Sequence, residues 1–514
     1  MSGILDHLSL GFGVAFSPLN LLVAAIGSFF GTIVGVLPGL GPINGVAMLI
    51  PIAFAMNLPP ETALILLAAV YVGAEYGGRI TSILINVPGE AASVMTTMDG
   101  YPLARQGLGS VALSLSAWAS FVGSTVAFIG ILVFAPILAS WALAFGPPEY
   151  FVLMVFAFCC LTGLLGNQPT KGVLAAMIGL AISTVGVDSN SGVYRFTFDH
   201  PNLADGIDFV VVVISLFAIS EMLQMLENVA GGMSVKVPKS GRKLFNMQEL
   251  RFTWPTVMRS ALTGAGMGVL PGAGASVASA VAYANEKRLI EQRDPKNAKF
   301  GQGDMRGLAA PEAANNASAT GSFIPMLTLG VPGSGTTAVM MGALTLYNIT
   351  PGPVLFETQP ALVWGLIASL FIANVMLLVM NIPMVRVFAS ILSIPPWLLV
   401  PGIVSVSMIG VYAINATTFD LLMVSGLGLV GYFLRKASVP LAPLVLGVVL
   451  GNLMEQNLRR ALSMSDGDVS ILFHSSVSIT FWVLTALVIA LPITFRRIAK
   501  RRARQHEAAN DSQA

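Results

Sequence analysis

The chain has 514 residues, of which 55% are hydrophobic and only 10% are charged, and its formal net charge is +2. Soluble domains carry roughly 25% charged residues, so this composition excludes an ordinary soluble protein. Apolar runs close to the ~20 residues that cross a bilayer recur from Leu19 to Ile493. They predict an all-α polytopic membrane protein, embedded in a lipid bilayer, with about 10 to 12 transmembrane segments.

Basic residues are concentrated in two places. Twelve of the 27 Lys and Arg residues lie between Lys236 and Arg306, and six more lie between Arg496 and Arg504. Cytoplasmic segments are enriched in Lys and Arg, so we expect both stretches to be cytoplasmic. No basic face is interleaved with exposed aromatics, so nucleic acid is not an expected partner. We predict a first transmembrane repeat over residues 1–230, a basic cytoplasmic linker over 231–259, a second transmembrane repeat over 260–495 with a polar insertion at 286–310, and a basic cytoplasmic tail over 496–514.

The first repeated element in chain order is a broken helix. Its sequence, G-T-I-V-G-V-L-P-G-L-G at residues 31–41, recurs as G-A-G-M-G-V-L-P-G-A-G at residues 264–274. Proline removes a helix hydrogen bond and glycine lets the backbone bend. In lipid, such a break is tolerated only where protein or a water-filled cavity satisfies the freed backbone groups. Basic sequence flanks residues 256–283 on both sides, which favours a hairpin entering and leaving on the cytoplasmic face over an ordinary span.

A second repeated element lies farther along each half. Residues 77–89 end in I-N-V-P-G and residues 321–333 end in L-G-V-P-G, and a small polar run follows each. The chain therefore consists of two homologous halves, each with Gly/Pro-broken helices or re-entrant hairpins. Broken helices in matching positions of two halves are typical of secondary transporters. The pattern leaves open whether the halves are parallel or inverted.

The breaks supply candidate binding groups. A helix that restarts after Pro-Gly presents free N–H groups and the positive end of its dipole, which together can hold an anion. Neutral amides suit both carboxylates and sodium, and unwound carbonyls can coordinate sodium. Alternatively, the hydroxyls after each break only satisfy broken backbone and pack helices. The candidate substrate-binding residues are Gly39, Asn44, Arg79, Asn86, Gly89, Ser93, Gly272, Ser276, Asn315, Asn316, Gly333, Ser334, Thr336 and Thr337, and a Na+ site is conceivable near Pro38, Gly41, Pro271 and Gly274.

Charged residues inside apolar segments are expensive and therefore informative. Glu75 and Arg79 lie four residues apart. They could pair with each other near a helix end, or Arg79 could grip a carboxylate with two hydrogen bonds. Phe323 occupies the position in the second half that matches Arg79. Glu312 could cap a helix N-terminus or coordinate a cation.

Enzymatic chemistry has no support in the sequence. The four histidines are scattered, and no metalloprotease, nucleophile-elbow or P-loop motif is present. We therefore expect no catalytic residues and no cofactor beyond a coupling ion, Na+ or H+.

Several of these runs together resemble a known family. They are G-V-L-P-G-L-G at 35–41, Y-G-G at 76–78, N-V-P-G-E at 86–90, D-G-Y-P-L-A-R-Q-G at 99–107, F-G-Q-G-D at 300–304, A-P-E-A-A-N-N-A at 310–317, L-G-V-P-G at 329–333 and P-G-P at 351–353. In this order and spacing they resemble the large membrane subunit of tripartite tricarboxylate transporters, the TctA family, from about residue 18 to residue 495.

The resemblance implies a function and partners. It implies a multi-pass bacterial inner-membrane permease that imports tricarboxylates or related carboxylates, such as citrate, by Na+ or H+ symport. A small TctB-like membrane subunit and a periplasmic TctC-like substrate-binding protein would complete the system. Arg79 departs from the small residue expected there in many relatives and could mark a different carboxylate preference. The alternatives are a stand-alone ion-coupled organic-anion transporter that needs no binding protein and, from another class, a passive channel.

Overall fold

The computed structural model describes residues 2–164, 169–188, 190–228, 244–295, 298–391 and 394–490. Residues 231–243 of the predicted linker and the whole predicted tail, 496–514, lie outside these described residues. Over the described residues the chain is almost entirely helical, apart from one short β hairpin. The structure therefore confirms the predicted all-α polytopic fold.

The first half is a run of helices with the hairpin between α8 and α9. π-Helical turns connect α5 to α6 and α9 to α10, at Ala104–Leu108 and Ile214–Ile219. The elements are α1 (Ser2–Ala15), α2 (Pro18–Val36), α3 (Gly41–Ala55), α4 (Pro60–Ile85), α5 (Val94–Leu103), α6 (Gly109–Ala142), α7 (Pro147–Leu164), α8 (Pro169–Ser183), β1 (Gly186–Val187), β2 (Tyr194–Arg195), α9 (Phe209–Val213) and α10 (Ser220–Asn228).

The described part of the second half is helical throughout. Its first helix, α11, begins inside the segment predicted as the linker, where the side chain of Asn246 caps it by accepting the N–H of Glu249 at 2.8 Å. The elements are α11 (Met247–Val269), α12 (Gly274–Arg293), α13 (Met305–Gly321), α14 (Phe323–Leu329), α15 (Gly335–Leu346), α16 (Leu355–Thr358), α17 (Pro360–Ile391), α18 (Pro396–Asn415), α19 (Thr418–Lys436), α20 (Leu441–Met464) and α21 (Ser476–Ala490).

The helices have the length and composition of a membrane protein. Eight helical stretches among the described residues are long and apolar enough to cross a membrane, and shorter apolar helices include α3, α8, α15 and α21. The predicted count of about 10 to 12 crossings would need some of these shorter helices as well. Neither α11 nor α12 is among the eight. The re-entrant hairpin that we favoured for residues 256–283 stays a prediction.

The predicted helix breaks are present in both halves and have the same geometry. α2 ends where Leu37 takes an extended conformation (φ −79°, ψ 109°), and α11 ends in the same way at Leu270 (φ −78°, ψ 120°). Gly39 and Gly272 follow with φ of +91° and +76°, in the left-handed region that favours glycine. A new helix, α3 or α12, begins directly after each break.

Small residues let the broken helices pack closely on their neighbours. In the first half, a Cβ added to Gly31 would strike the backbone of Val70 in α4. In the second half, a Cβ added to Gly264 would strike the backbone of Ala314 in α13. Such close approach is the known use of small residues at membrane helix interfaces. The pairs α2–α4 and α11–α13 are therefore equivalent, and they fix where the two breaks meet.

Candidate functional site

Two breaks meet in each half. The N–H of Gly39 donates to the carbonyl of Gly89 over 3.3 Å, and the N–H of Gly272 donates to the carbonyl of Gly333 over 3.1 Å. These contacts join the first broken motif to the second, so the four Pro-Gly breaks form two matched pairs. Gly89 packs on the backbone of Gly78, where a Cβ would lie 2.6 Å from its Cα.

A helix restarts after each second break and is capped in the same way. In the first half, the hydroxyl of Ser93 accepts the N–H of Glu90 at 3.2 Å. In the second half, the hydroxyl of Thr337 accepts the N–H of Ser334 at 2.8 Å. Ser334 in turn accepts the N–H of Thr337 at 3.2 Å. Three of the predicted substrate-binding hydroxyls therefore satisfy broken backbone at the two helix starts.

Each restarted helix is touched by a residue from the opposite half. The hydroxyl of Tyr71, in α4, lies 3.1 Å from the Ser334 hydroxyl and 3.4 Å from that of Ser322. The Nδ2 of Asn315, in α13, donates to Oε1 of Glu90 at 3.3 Å. Positions 71 and 315 match between the halves, as do positions 90 and 334.

The matching contact in the first half belongs to a buried charged group, which we call the acidic cluster: Glu75, Arg79, Glu90, Glu312 and Asn315. The carboxyl groups of Glu75 and Glu90 lie close enough to interact, and the Asn315 side chain adjoins both of them. Only Glu90 is partly exposed, and the other four are at most 3% exposed. The cluster brings together Arg79 and Asn315, both predicted as site residues.

Arg79 is directed toward Glu312 through a serine. Its Nη1 donates to the hydroxyl of Ser120 at 3.3 Å, and that hydroxyl donates to Glu312 Oε2 at 3.0 Å. Thr96 donates to the other oxygen of Glu312 at 2.5 Å. The Arg79 guanidinium also lies over the ring of Tyr76, 4.5 Å from its centre. Arg79 therefore stabilises a carboxylate of the protein itself.

Two sequence-based interpretations are corrected by these contacts. Glu75 and Arg79 form no ion pair in the part of the chain that the structure describes, and both are buried rather than placed at an interface. Glu312 does not cap α13, because Asp304 does so by accepting the N–H of Arg306 at 2.9 Å. Glu312 instead lies within the helix with its carboxylate in the acidic cluster.

The remaining predicted residues lie around the breaks. Asn86 ends α4 in the left-handed conformation, with φ of +59°. Asn44 donates from Nδ2 to the carbonyl of Leu40, and Asn316 donates to the carbonyl of Glu312 at 3.3 Å. Ser276, near the start of α12, is half-buried. Thr336 is buried beside the cap of α15; Gly41 and Gly274, next to Pro38 and Pro271, have left-handed φ.

Sequence reasoning missed Glu90, Tyr71 and Ser120 as site residues, and it considered the Thr96 hydroxyl only as a helix cap or a contact to a carboxylate. Glu90 had a visible signal, because it directly follows V-P-G at the position where Ser334 was predicted to bind. Tyr71 had none, since its partners lie more than 240 residues away in the opposite half. Thr96 and Ser120 likewise reach Glu312 only through the tertiary fold.

A second charged cluster lies at the β hairpin and is fully paired. Asp188 accepts from Arg459 at 2.9 Å and lies 3.6 Å from Arg195, while Glu455 contacts both arginines. The backbone N–H of Asn190, with further N–H and arginine donors, lowers the pKa of Asp188 to about 2. Here two carboxylates face two arginines, whereas the acidic cluster has three carboxyl groups and one arginine. No group of three or more His, Cys, Asp and Glu among the described residues is arranged to hold a metal ion.

Comparison with known proteins gives one family and two relatives. A model described as "Tripartite tricarboxylate transporter TctA family" matches residues 21–446. The chain is 40% identical over 493 residues, 96% of its length and 97% of the relative's, to "Uncharacterized 52.8 kDa protein in TAR-I ttuC' 3'region" of Agrobacterium vitis. It is 42% identical over 230 residues, 45% of its length and 93% of the relative's, to "Uncharacterized protein in TAR-II ttuC' 3'region" of the same organism. No solved structure matches the chain.

Proposed function

This chain belongs to the tripartite tricarboxylate transporter TctA family, and from that premise we propose that it imports a tricarboxylate or a related carboxylate such as citrate. Import is driven by symport with a cation, Na+ or H+. The chain acts as the large permease subunit in a bacterial inner membrane. A small TctB-like membrane subunit and a TctC-like periplasmic substrate-binding protein work with it.

One observation carries the carboxylate proposal: two restarted helices, one from each half, begin at matched Pro-Gly breaks. The helix after Glu90 and the helix after Ser334 each place the positive end of a helix dipole where a residue of the other half makes contact. Asn315 of the second half contacts Glu90 of the first half, and Tyr71 of the first half contacts Ser334 of the second half. An anion held there would be reached by both halves, as alternating access requires.

The acidic cluster supports cation coupling. The cluster holds three carboxyl groups and a single arginine, which Ser120 bridges to Glu312, so it carries excess negative charge when all groups are ionised. Buried charge without compensation is expensive in a membrane. A cation that enters with the substrate offsets both this charge and the charge of the carboxylate.

The aromatic hairpin loop supports the binding-protein partner. α10 ends at Asn228 beside the basic linker, and the helical stretch Phe209–Glu227 is long and apolar enough to cross a membrane, which would put Phe209 on the face opposite the linker. The loop before it exposes Tyr194, Phe196 and Phe198, the last at 88%. With the linker in the cytoplasm, this loop faces the compartment of the binding protein. We expect Phe198→Glu to lower binding-protein-dependent uptake and to leave membrane insertion unchanged.

Uptake into proteoliposomes tests the proposal. The vesicles hold this chain and its small subunit, labelled carboxylates are added outside, and binding protein and an inward Na+ or H+ gradient are supplied or omitted. Accumulation that requires both the binding protein and one gradient supports the proposal. Accumulation without binding protein identifies a stand-alone transporter instead. Flux that neither saturates nor accumulates substrate identifies a channel.

A further inference from the structure

We propose that Glu75 and Glu90 share one exchangeable proton, and that this carboxyl pair is the site where the coupling cation, H+ and not Na+, binds. The inference deepens the proposed function and rests on it for the link to substrate. The proton enters from water onto the pair on one side of the membrane and leaves to water on the other. No covalent bond other than O–H forms or breaks.

The fold brings the two carboxyl groups together. Gly78 lies one turn after Glu75 in α4, and a Cβ at Gly78 would lie 2.8 Å from Cγ of Glu90. The absence of a side chain there lets Glu90 fold across the helix onto Glu75. The two carboxyl groups thereby come close enough to interact, and neighbouring carboxyl groups can hydrogen-bond each other only when one of them carries a proton.

In the part of the chain that the structure describes, no Lys, Arg or His contributes to the surroundings of Glu75 and Glu90. Among the described residues, Arg79 is directed toward Glu312 and Tyr76, away from the pair. The titratable groups that face Glu75 and Glu90 are Glu312 from α13 and Tyr71 from α4, neither of which is positive. In the adjacent α12, Glu286 pairs with Arg259 of α11 and Lys287 pairs with Glu291. A proton is therefore the charge that makes the pair tolerable in the membrane.

A second observation points to the same ligand. Asn315 is 1% exposed, donates from Nδ2 to Glu90, and has no donor for its Oδ1. Oε2 of Glu75, 3% exposed, also has no donor. The pair thus lies where acceptor oxygens outnumber donors. A proton on the pair supplies the missing donor, since a protonated carboxyl group donates one hydrogen bond.

Position connects the proton to substrate. Glu90 is the residue from which the first restarted helix begins, so its charge lies at the helix end proposed to attract the anion. An ionised Glu90 repels a carboxylate there, and a proton removes the repulsion. Each ligand then strengthens binding of the other, as linkage requires. Glu90 is partly exposed while Glu75 is not, so Glu90 gives the pair its contact with water.

The variants Glu75→Gln and Glu90→Gln test the site, because glutamine keeps size and hydrogen bonding but cannot take up the proton. Glu286→Gln is the matched control: Glu286 is also a buried glutamate, 4% exposed, but it faces Arg259 at 2.6 Å. The first readout is infrared difference spectroscopy of the full complex in membranes across a pH titration. We expect the carbonyl band of a protonated carboxyl group to be lost in both cluster variants and retained in the control.

The second readout is proton uptake on addition of citrate and binding protein, followed with a pH dye in weak buffer. We expect the wild type and Glu286→Gln to take up protons, and both cluster variants to take up none. An unchanged infrared band in both cluster variants would overturn the proposal. So would substrate binding that needs Na+ at fixed pH and releases or takes up no proton.

The two proposals fail separately. The infrared band needs no substrate, so a band that disappears in the variants supports the proton site even if no carboxylate is transported. Transport of carboxylates with an unaltered band in the variants leaves the proposed function standing and overturns the proton site.

Discussion

The two halves of this molecule have the same broken backbone but different polar groups on it. The first half places Glu90 at the start of its restarted helix, where Asn315 reaches it, and the second half places Ser334 there, where Tyr71 reaches it. Backbone N–H groups at the two helix starts are therefore duplicated, while ionisable side chains are confined to one. The comparison separates two tasks: the repeated backbone suits an anion between the halves, and the unrepeated acidic cluster suits a cation.

The two halves also differ in polarity at matched buried positions. Glu75 and Arg79 of α4 match Ala319 and Phe323 of the second half. Both of the latter are fully buried apolar residues. Charged side chains in the first half thus occupy positions where the second half has hydrophobic ones. Hydrophobic side chains at these positions would make the fold more stable than buried charged ones. A feature that lowers stability and occurs in one half only is best explained by function.

The largest effect should come from filling the breaks. Gly39→Leu and Gly272→Leu place a side chain at left-handed φ, and at Gly272 its Cβ would lie 2.5 Å from the backbone of Leu161. We expect uptake into proteoliposomes no higher than in empty vesicles for both. Gly266→Leu is the control, because nothing lies within 4 Å of a Cβ there. Normal uptake by both break variants would remove the anion site from the breaks.

The second effect concerns the buried charge of Arg79. Arg79→Ala leaves Glu312 buried without its cation, which should lower the free energy of unfolding by about 3–5 kcal/mol. Arg79→Phe combined with Glu312→Ala copies the residues at the matching positions, Phe323 and Ala68. We expect the double variant to recover most of the loss.

Thermal unfolding in detergent, read for Arg79→Phe, for Glu312→Ala and for the double variant, gives the coupling between Arg79 and Glu312. Additive losses would show that the two side chains do not interact. In that case Arg79 would be free to contact substrate, and Arg79→Ala should weaken the apparent affinity for the carboxylate, as the sequence alone allowed.

The helix breaks could be predicted from the sequence because proline and glycine change the backbone locally. Pro38 and Gly39, for instance, interrupt the helix whatever surrounds them. The acidic cluster could not be predicted from the sequence, because the partners of Arg79 and Glu75 lie on other elements of the fold. A spacing of four residues suggested that Glu75 and Arg79 pair with each other. In the folded protein Glu75 instead interacts with Glu90, and Arg79 interacts with Glu312. The Arg79–Glu312 interaction depends on the packing of α4 against α13, which the local sequence does not reveal.

A smaller effect compares the two contacts between the halves. Asn315→Leu removes a donor to Glu90, and a hydrogen bond to a charged group contributes about 1.5–3 kcal/mol. Tyr71→Phe removes a contact between neutral hydroxyls, worth about 0.5–1.5 kcal/mol. We expect the unfolding midpoint to fall further for Asn315→Leu than for Tyr71→Phe. Equal shifts would mean that Asn315 faces a neutral Glu90, so the proton of the pair would reside on Glu90 rather than on Glu75.

The smallest effect should be equal in the two halves. Ser93→Ala and Thr337→Val each remove the hydroxyl that accepts the first N–H of a restarted helix. Loss of such a cap costs about 1 kcal/mol. Because the two positions match and the backbone around them is repeated, we expect unfolding midpoints that fall by the same amount, with uptake retained at reduced rate. A much larger loss of uptake for Ser93→Ala at equal stability would mean that its hydroxyl also serves the acidic cluster through Glu90. A much larger loss of uptake for Thr337→Val would place a substrate contact in the second half. The two variants therefore show which of the two helix starts has a role beyond capping.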